Sequence, residues 1–270
     1  MTDNNFSVIK ELVYKSSGIV LGPHKREMVY SRLSRRLRVL KLSDFDQYCE
    51  LLAIQDGEEL SHFINAITTN LTSFFREQHH FDFIEQTVIP KLLAQSKHTN
   101  RIRVWSAGCS SGEEPYSIAI TMAHAFPKST WDLKILATDL DSNVLAKATT
   151  GIYPIQSLEG LSETVKRTNF VYNKQLDQYK IKPCIAQHIH FKRLNLLEKW
   201  PIKGKFDIIF CRNVVIYFDN ETKNNLIRRY ANLLKPGGYL FLGHSETMSR
   251  EVSNFTPLGH TIYQLKESSC

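Results

Sequence analysis

From about Glu77 onward, short apolar runs alternate with longer stretches of helical periodicity, and this alternation constrains the chain more than any other feature. Residues 102–105, 134–137, 188–191, 206–210, 238–242 and 261–265 read as strands, with helices at about 79–95, 113–126, 141–149 and 220–234. Such a succession predicts a parallel sheet with helices on its faces. Pro236-Gly237-Gly238 is expected to end the last helix, because proline cannot continue it and glycine accepts a left-handed turn. The stretch 160–187 fits neither pattern, and its Tyr, Phe, Val and Lys mixture predicts a small antiparallel insertion. Upstream, residues 6–71 carry only helical spacing. The first helix should end near Gly18, the second begin at Pro23, the third at Ser43-Asp44, and the fourth after a turn at Asp56-Gly57. The expected organisation is a helical unit over 1–77 and an α/β unit over 78–270.

Composition narrows the class. A chain of 270 residues with 42% hydrophobic and 23% charged residues can bury a core, which argues against disorder and fibrous structure. Its most apolar window, 206–218, is broken by Arg212 and Asn213 and is too short to span a bilayer. The start shows no basic segment followed by an apolar one, so a cytoplasmic protein that is not membrane-inserted is expected. Five scattered cysteines (Cys49, Cys109, Cys184, Cys211, Cys270), with no C-x-x-C pair, read as reduced thiols. A net charge of +7 favours an acidic partner without saying whether it is nucleic acid, membrane surface or protein.

The sharpest local signal is the segment from Val104 to Pro115, a strand feeding a turn with Gly108, Ser110, Ser111 and Gly112 and then a helix opening on Glu113 and Glu114. Glycines let a ligand approach the backbone where open α/β sheets bind nucleosides, but this is not G-x-G-x-x-G. Two acidic groups at the helix start would repel a pyrophosphate, so a cationic or neutral nucleoside fits better. The next strand ends at Asp139, placed to bind ribose hydroxyls. Together these features suggest S-adenosyl-L-methionine, although Gly108 and Gly112 could serve only a tight turn and Asp139 only a helix cap.

The chain closely resembles the CheR family of chemotaxis receptor methyltransferases. The likeness runs through Gly18-Ile19-Val20-Leu21, Arg32-Leu33-Ser34-Arg35-Arg36-Leu37, Asn70-Leu71-Thr72-Ser73-Phe74-Phe75-Arg76-Glu77, Gly112-Glu113-Glu114-Pro115-Tyr116-Ser117, Asn195-Leu196-Leu197 and Cys211-Arg212-Asn213-Val214-Val215-Ile216-Tyr217-Phe218. It implies a class I S-adenosylmethionine-dependent methyltransferase with a Rossmann-like sheet, a small N-terminal all-helical domain and a small antiparallel β insertion. The implied activity is methylation of chemoreceptor glutamates, with S-adenosyl-L-homocysteine as product. By this resemblance Asn70, Thr72 and Arg76 contact the cofactor from the interdomain segment. Glu113 lies near its methionine end, Asp139 on the ribose, Asn195 and Leu196 around the adenine, and Arg212 with Asn213 beside it. Arg76 and Tyr217 would stand close to the transferring methyl. An ionised glutamate is already a nucleophile, so these two would orient rather than act as a base.

Over residues 24–41, Val29, Leu33, Leu37 and Leu40 share one stripe, with Lys25, Arg32, Arg35 and Arg36 beside it. A solvated face is the plain reading; the resemblance implies docking on the acidic cytoplasmic coiled coil of methyl-accepting chemoreceptors, and recruitment to their membrane clusters. Some relatives hold a receptor tail pentapeptide through a glycine-containing loop of the insertion, but no glycine occurs between Leu161 and Asn195 here, so weak or absent tether binding is expected. No metal is expected, because His79-His80, His188-Ile189-His190 and His244-Ser245-Glu246 lack H-E-x-x-H spacing or a matched third ligand. Glu246 could line the cleft mouth. A monomer is expected, and nucleic acid as partner is disfavoured by the absence of aromatic-basic interleaving. A methyltransferase of other substrates and a non-catalytic binding module are the competing readings.

Overall fold

Thr2 opens the first helix by a reciprocal cap. Its hydroxyl accepts from the Asn5 amide at 3.1 Å while the Asn5 side chain accepts from the Thr2 amide at 2.7 Å. The computed structural model describes residues 1–54, 57–95, 100–127, 129–249, 252 and 254–267. Helix α1 (Asp3–Ser17) ends at left-handed Gly18, Pro23–Lys25 form a 3-10 turn, and α2 (Arg26–Leu40) follows. Asp44 caps α3 (Phe45–Ala53), and α4 (Gly57–Ile67) completes the unit. Of the expected turn before α4, Asp56 lies outside the described residues, as does Cys270. The four helices close on Ile9, Val29, Leu33, Tyr48 and Phe63, all buried. Fully burying such side chains stabilises by roughly 1.5–3 kcal/mol each.

The interdomain segment then runs against the second unit, where Phe74 packs edge-on to Tyr153 and Phe170. The expected helix at 79–95 is α5 (His79–Phe83) and α6 (Ile89–Gln95) joined by a π turn over Ile84–Val88. After it come β1 (Arg101–Ala107), α7 (Glu113–Ala123), β2 (Asp132–Asp139), α8 (Ser142–Thr150) and β3 (Ile152–Pro154). The chain continues through α9 (Glu163–Asn169), β4 (Phe170–Asn173), β5 (Gln178–Ile181), α10 (Pro183–Ala186), β6 (Ile189–Arg193) and β7 (Phe206–Cys211). It finishes with α11 (Asn220–Leu233), β8 (Leu234–Leu242), β9 (Phe255–Gly259) and β10 (Ile262–Leu265).

Among the described residues, seven strands form the main sheet in the order β6-β2-β1-β7-β8-β10-β9. The first five are parallel; β10 pairs antiparallel with β8 and β9. Every residue of β7 is buried, as a central strand covered on both faces requires. The chain builds outward from β1 to β2 and β6, then returns to the other side of β1 with β7 and β8. Loops leaving β1, β2 and β7 therefore diverge, and that divergence opens a crevice at the strands' carboxyl ends.

The α/β class, the helical unit and the antiparallel insertion hold, with differences of detail. The insertion sheet, ordered β3-β5-β4, recruits Ile152–Pro154 from before the expected start. Strand β9, paired antiparallel with β10, adds to the strands expected from pattern. Helix α11 stops at Leu233, ahead of Pro236-Gly237-Gly238, which instead lies inside β8. There the register against β7 jumps from Phe206–Leu234 to Ile208–Tyr239, so a bulge absorbs the proline and left-handed Gly237. No helix among the described residues is long and apolar enough to cross a membrane.

Candidate active site

The carboxyl ends of β1, β2 and β7 form one wall of a cleft of about 1280 Å³, counting the part open to solvent. The interdomain segment and the corner between α1 and α2 form the opposite wall. At the end of β1 the backbone turns through Gly108 at φ +106°, and a Cβ there would fall 2.3 Å from Val214 Cγ2. Only glycine fits, and the closeness fixes the β1 turn to the loop after β7. Ser110, one residue beyond Cys109, donates its amide to Asp139 Oδ2 at 2.8 Å, while Oδ1 accepts from the Asp141 amide at 3.0 Å. The carboxylate is thus aimed by two backbone donors. Burial pushes its pKa up, against the pull of these donors.

Of the paired acids opening α7, Glu114 and not Glu113 lines the cleft. Glu114 accepts from Ser106 Oγ at 2.7 Å and lies 3.3 Å from Arg212 Nη1. Glu113 turns back on Ser111 Oγ, 2.8 Å away, and does not line the cleft. The first residue of the helix, after left-handed Gly112, is directed along the turn; the second points back over β1. Burial pushes both carboxyls up.

Several anchors hold the interdomain segment over this wall. Thr68 Oγ1 and Asn70 Nδ2 both donate to Asp141 Oδ2, at 2.9 and 2.8 Å, and the Asn70 carbonyl accepts from Ser110 Oγ at 3.2 Å. The Phe75 amide donates to Ser117 Oγ at 2.9 Å, and the Arg76 carbonyl accepts from the Arg212 guanidinium. Phe75 and Glu77 take φ of +51° and +58°, unusual for residues other than glycine. Arg76 lines the cleft and also donates to the Leu71 carbonyl at 2.8 Å. Thr72 lines the cleft beside it.

Arg212 is the centre of the charge arrangement. Its side chain is 2% exposed, 3.3 Å from both Glu77 and Glu114, with its guanidinium over the Phe81 and Phe210 rings. Among the described residues, Arg212 Nε, Glu77 Oε2 and His80 Nδ1 have no hydrogen-bond partner. Burial, reinforced by Arg212, pushes the His80 pKa down to about 4. Burial alone would raise Glu77, yet Arg212, His244 and His80 together hold it below the ordinary carboxylate range. Glu77 is also the third ligand type that sequence spacing did not supply for His79-His80, since ligand atoms of all three lie within 4.8 Å. Its carboxylate already pairs with Arg212 and His244.

The remaining expected residues converge on the same space. Asn213, at φ +57°, and Tyr217, in a 3-10 turn over Val215–Tyr217, line the cleft, and the Tyr217 carbonyl accepts from the Val20 amide at 2.8 Å. Asn195 donates to the Ser16 carbonyl at 2.8 Å, tying α1 to the sheet unit, and neighbouring Leu196 lines the cleft with Leu140 and Leu194. Glu246, a candidate for the mouth, is wholly buried behind the Asn213–Tyr217 loop. Asp141, read only as a helix start, is the clasp for Thr68 and Asn70. One signal for it was available, an aspartate two residues after the ribose-type aspartate.

The four expected docking cations, Lys25 in the turn before α2 and Arg32, Arg35 and Arg36 on it, divide. Lys25 and Arg35 are exposed. Arg32 instead caps α4, its Nη1 donating to the Ile67 and Thr68 carbonyls at 2.7 and 2.8 Å. Arg36 is held by Glu59, whose Oε1 also accepts from Tyr48 at 2.9 Å. A position beside the apolar stripe puts a long side chain within reach of the neighbouring helix as readily as of solvent.

The amino-acid sequence matches two family descriptions, "CheR methyltransferase, all-alpha domain" over residues 4–68 and "CheR methyltransferase, SAM binding domain" over residues 70–264. A chemotaxis protein methyltransferase of Salmonella typhimurium is 45% identical over 271 residues, covering 99% of this chain and 92% of that one. A probable chemotaxis protein methyltransferase of Rhizobium etli is 44% identical, covering 94% of this chain and 96% of that one. Among solved structures, PKMT2 from Rickettsia typhi is similar over 64% of this chain and 26% of that one, at 18% identity and a TM-score of 0.39. The chain belongs to the CheR family of S-adenosylmethionine-binding chemotaxis methyltransferases.

Proposed function

We propose that this protein methylates glutamate side chains in the acidic cytoplasmic coiled coil of chemoreceptors, using S-adenosylmethionine and leaving glutamate methyl esters. The observation that carries the reading is the shared cleft. Asp139, Arg76 and Tyr217 line one space, beneath a helical unit that exposes Lys25 and Arg35. The donor set fits the cofactor. Each Asp139 oxygen accepts one backbone N–H and retains a lone pair for a ribose diol. Leu140, Leu194 and Leu196 offer apolar surface to a base, and Arg76 a cation to an amino-acid carboxylate.

Bound there, S-adenosylmethionine supplies an electrophilic methyl on a sulfonium. The chain's own residues place the reactants and exclude water. Transfer joins a carboxylate and a sulfonium and so disperses charge, which a water-poor pocket favours; no proton moves and no general base is required. Tyr217 and Arg76 orient the incoming carboxylate and the cofactor. Lys25 and Arg35 draw an acidic helix toward the mouth, an attraction that weakens as salt rises. The turn between β4 and β5 uses left-handed Asp177 and no glycine, in keeping with weak or absent binding of a receptor tail peptide.

The test is transfer of labelled methyl from S-adenosylmethionine to chemoreceptor-containing membranes, followed by mild alkali to release methanol. Alkali-labile label on receptor protein is expected, falling about 10²-fold in Arg76→Ala or Tyr217→Phe, as loss of orientation predicts. Cofactor binding without such label would overturn the substrate assignment.

A further inference from the structure

Glu246 is a carboxylate with no solvent exposure and no cationic partner among the described residues. Three backbone amides satisfy it instead. Oε2 accepts from Asn213 at 2.8 Å and from Gly243 at 2.6 Å, and Oε1 accepts from Ile216 at 3.1 Å. Two of those amides belong to the loop after β7, the third to the residue following β8. The loop they fix carries Asn213, Val214 and Tyr217 into the cleft.

Two further observations show how tightly this junction is built. Asn213 is in the left-handed region at φ +57°, a conformation costly for a non-glycine residue unless its surroundings hold it. A Cβ at Gly243 would lie 2.8 Å from the Asn213 amide nitrogen and 2.9 Å from Glu246 Oε2, so the two loops meet at backbone contact distance. Hydrogen bonds to an ionised acceptor are about twice as strong as neutral ones. A buried charge that relies wholly on main-chain donors also has one low-energy arrangement, that in which the loop stays in place.

We propose that Glu246 is a positioning residue for methyl transfer, latching the Asn213–Tyr217 loop so that Asn213 faces the cofactor and Tyr217 the methyl acceptor. The inference deepens the methyltransferase reading and rests on it for the identity of the ligand. Glutamine keeps the shape of the side chain but replaces one acceptor oxygen by an NH₂ that confronts backbone N–H groups, so it releases one edge of the loop. Aspartate keeps the charge and cannot reach all three amides.

The experiment compares the unmutated protein with Glu246→Gln and Glu246→Asp, well below their melting temperatures. The readouts are S-adenosylhomocysteine affinity by calorimetry and the kinetics of methyl transfer to receptor membranes. A loop out of register by about 1 Å costs on the order of 10²-fold in kcat. The expected result is that loss in Glu246→Gln, with KM for receptor unchanged because docking uses Lys25 and Arg35, and S-adenosylhomocysteine affinity weakened about tenfold. Glu246→Asp should fall between. Folded variants with wild-type affinity and kcat would overturn the proposal, reducing Glu246 to a stability element. Should neither variant fold, amide exchange in the unmutated protein decides. Slow exchange at Asn213 and Ile216 supports the latch, and exchange as fast as an exposed loop removes it. If the unmutated protein binds S-adenosylhomocysteine but methylates no receptor, the substrate assignment fails. The affinity and exchange readouts then still judge the latch.

Discussion

Each half of the molecule contains an arginine between helices and carboxylates, and the two are built differently. In the helical unit Arg36 uses both Nε and Nη2 on Glu59, whose Oε1 also accepts from Tyr48, so both carboxylate oxygens are hydrogen-bonded within the unit and the group is closed. At the head of the sheet Arg212 meets Glu77, Glu114 and the Arg76 carbonyl, yet among the described residues Arg212 Nε, Glu77 Oε2 and His80 Nδ1 make no hydrogen bond. A closed pair stabilises packing and offers nothing to a ligand. An open one, placed where the interdomain segment meets the cleft, holds the segment and keeps polar capacity beside the site.

The sharpest way to break this contrast is Arg212→Ala. It strands two buried carboxylates and frees the Arg76 carbonyl. A loss of about 3–5 kcal/mol in denaturant unfolding is expected, with methyl transfer abolished even in the fraction that folds. Retained activity would mean that the interdomain segment is held in place without it.

Acid should act on the open cluster next. The folded-state pKa of His80 is near 4, against an ordinary value of 6.5. The unfolded chain therefore takes up the proton first as pH falls. Stability is full above about pH 6.5 and drops by up to about 3 kcal/mol by pH 4. Unfolding titrations of the protein and of His80→Gln check this, and the slope between those pH values should flatten in the variant.

The smallest effect belongs to the closed pair. Arg36 is 18% exposed on its side chain, so Arg36→Ala should cost about 2–3 kcal/mol, less than a fully desolvated pair. Per folded molecule, methyl transfer and its salt dependence should be unchanged. A rise in KM for receptor at low salt would instead return Arg36 to the docking surface.

Much of the protein was legible from pattern. Alternation of strands and helices predicted the sheet because burial on both faces leaves apolar runs, and Gly108 and Asp139 stood where a parallel sheet presents a nucleoside site. Side chains whose role depends on a neighbour far away in the chain were less readable. Arg32 and Arg36 share a helix edge with Arg35, and only the approach of α4 makes the first two internal. Glu113 and Glu114 are adjacent and alike, and the direction of the helix turn decides which one meets the cleft. Pro236 looked like a helix stop because a bulge in β8 cannot be seen until its partner strand is in place.

The sequence by itself determined the layer architecture, the helical unit and the segment that would carry the site, because local periodicity and turn chemistry act over a few residues. Only the tertiary structure decided which charges are internal. Asp141, Arg212 and Glu246 acquire their partners from segments distant in the chain, and a buried charge is defined by the groups that replace its water.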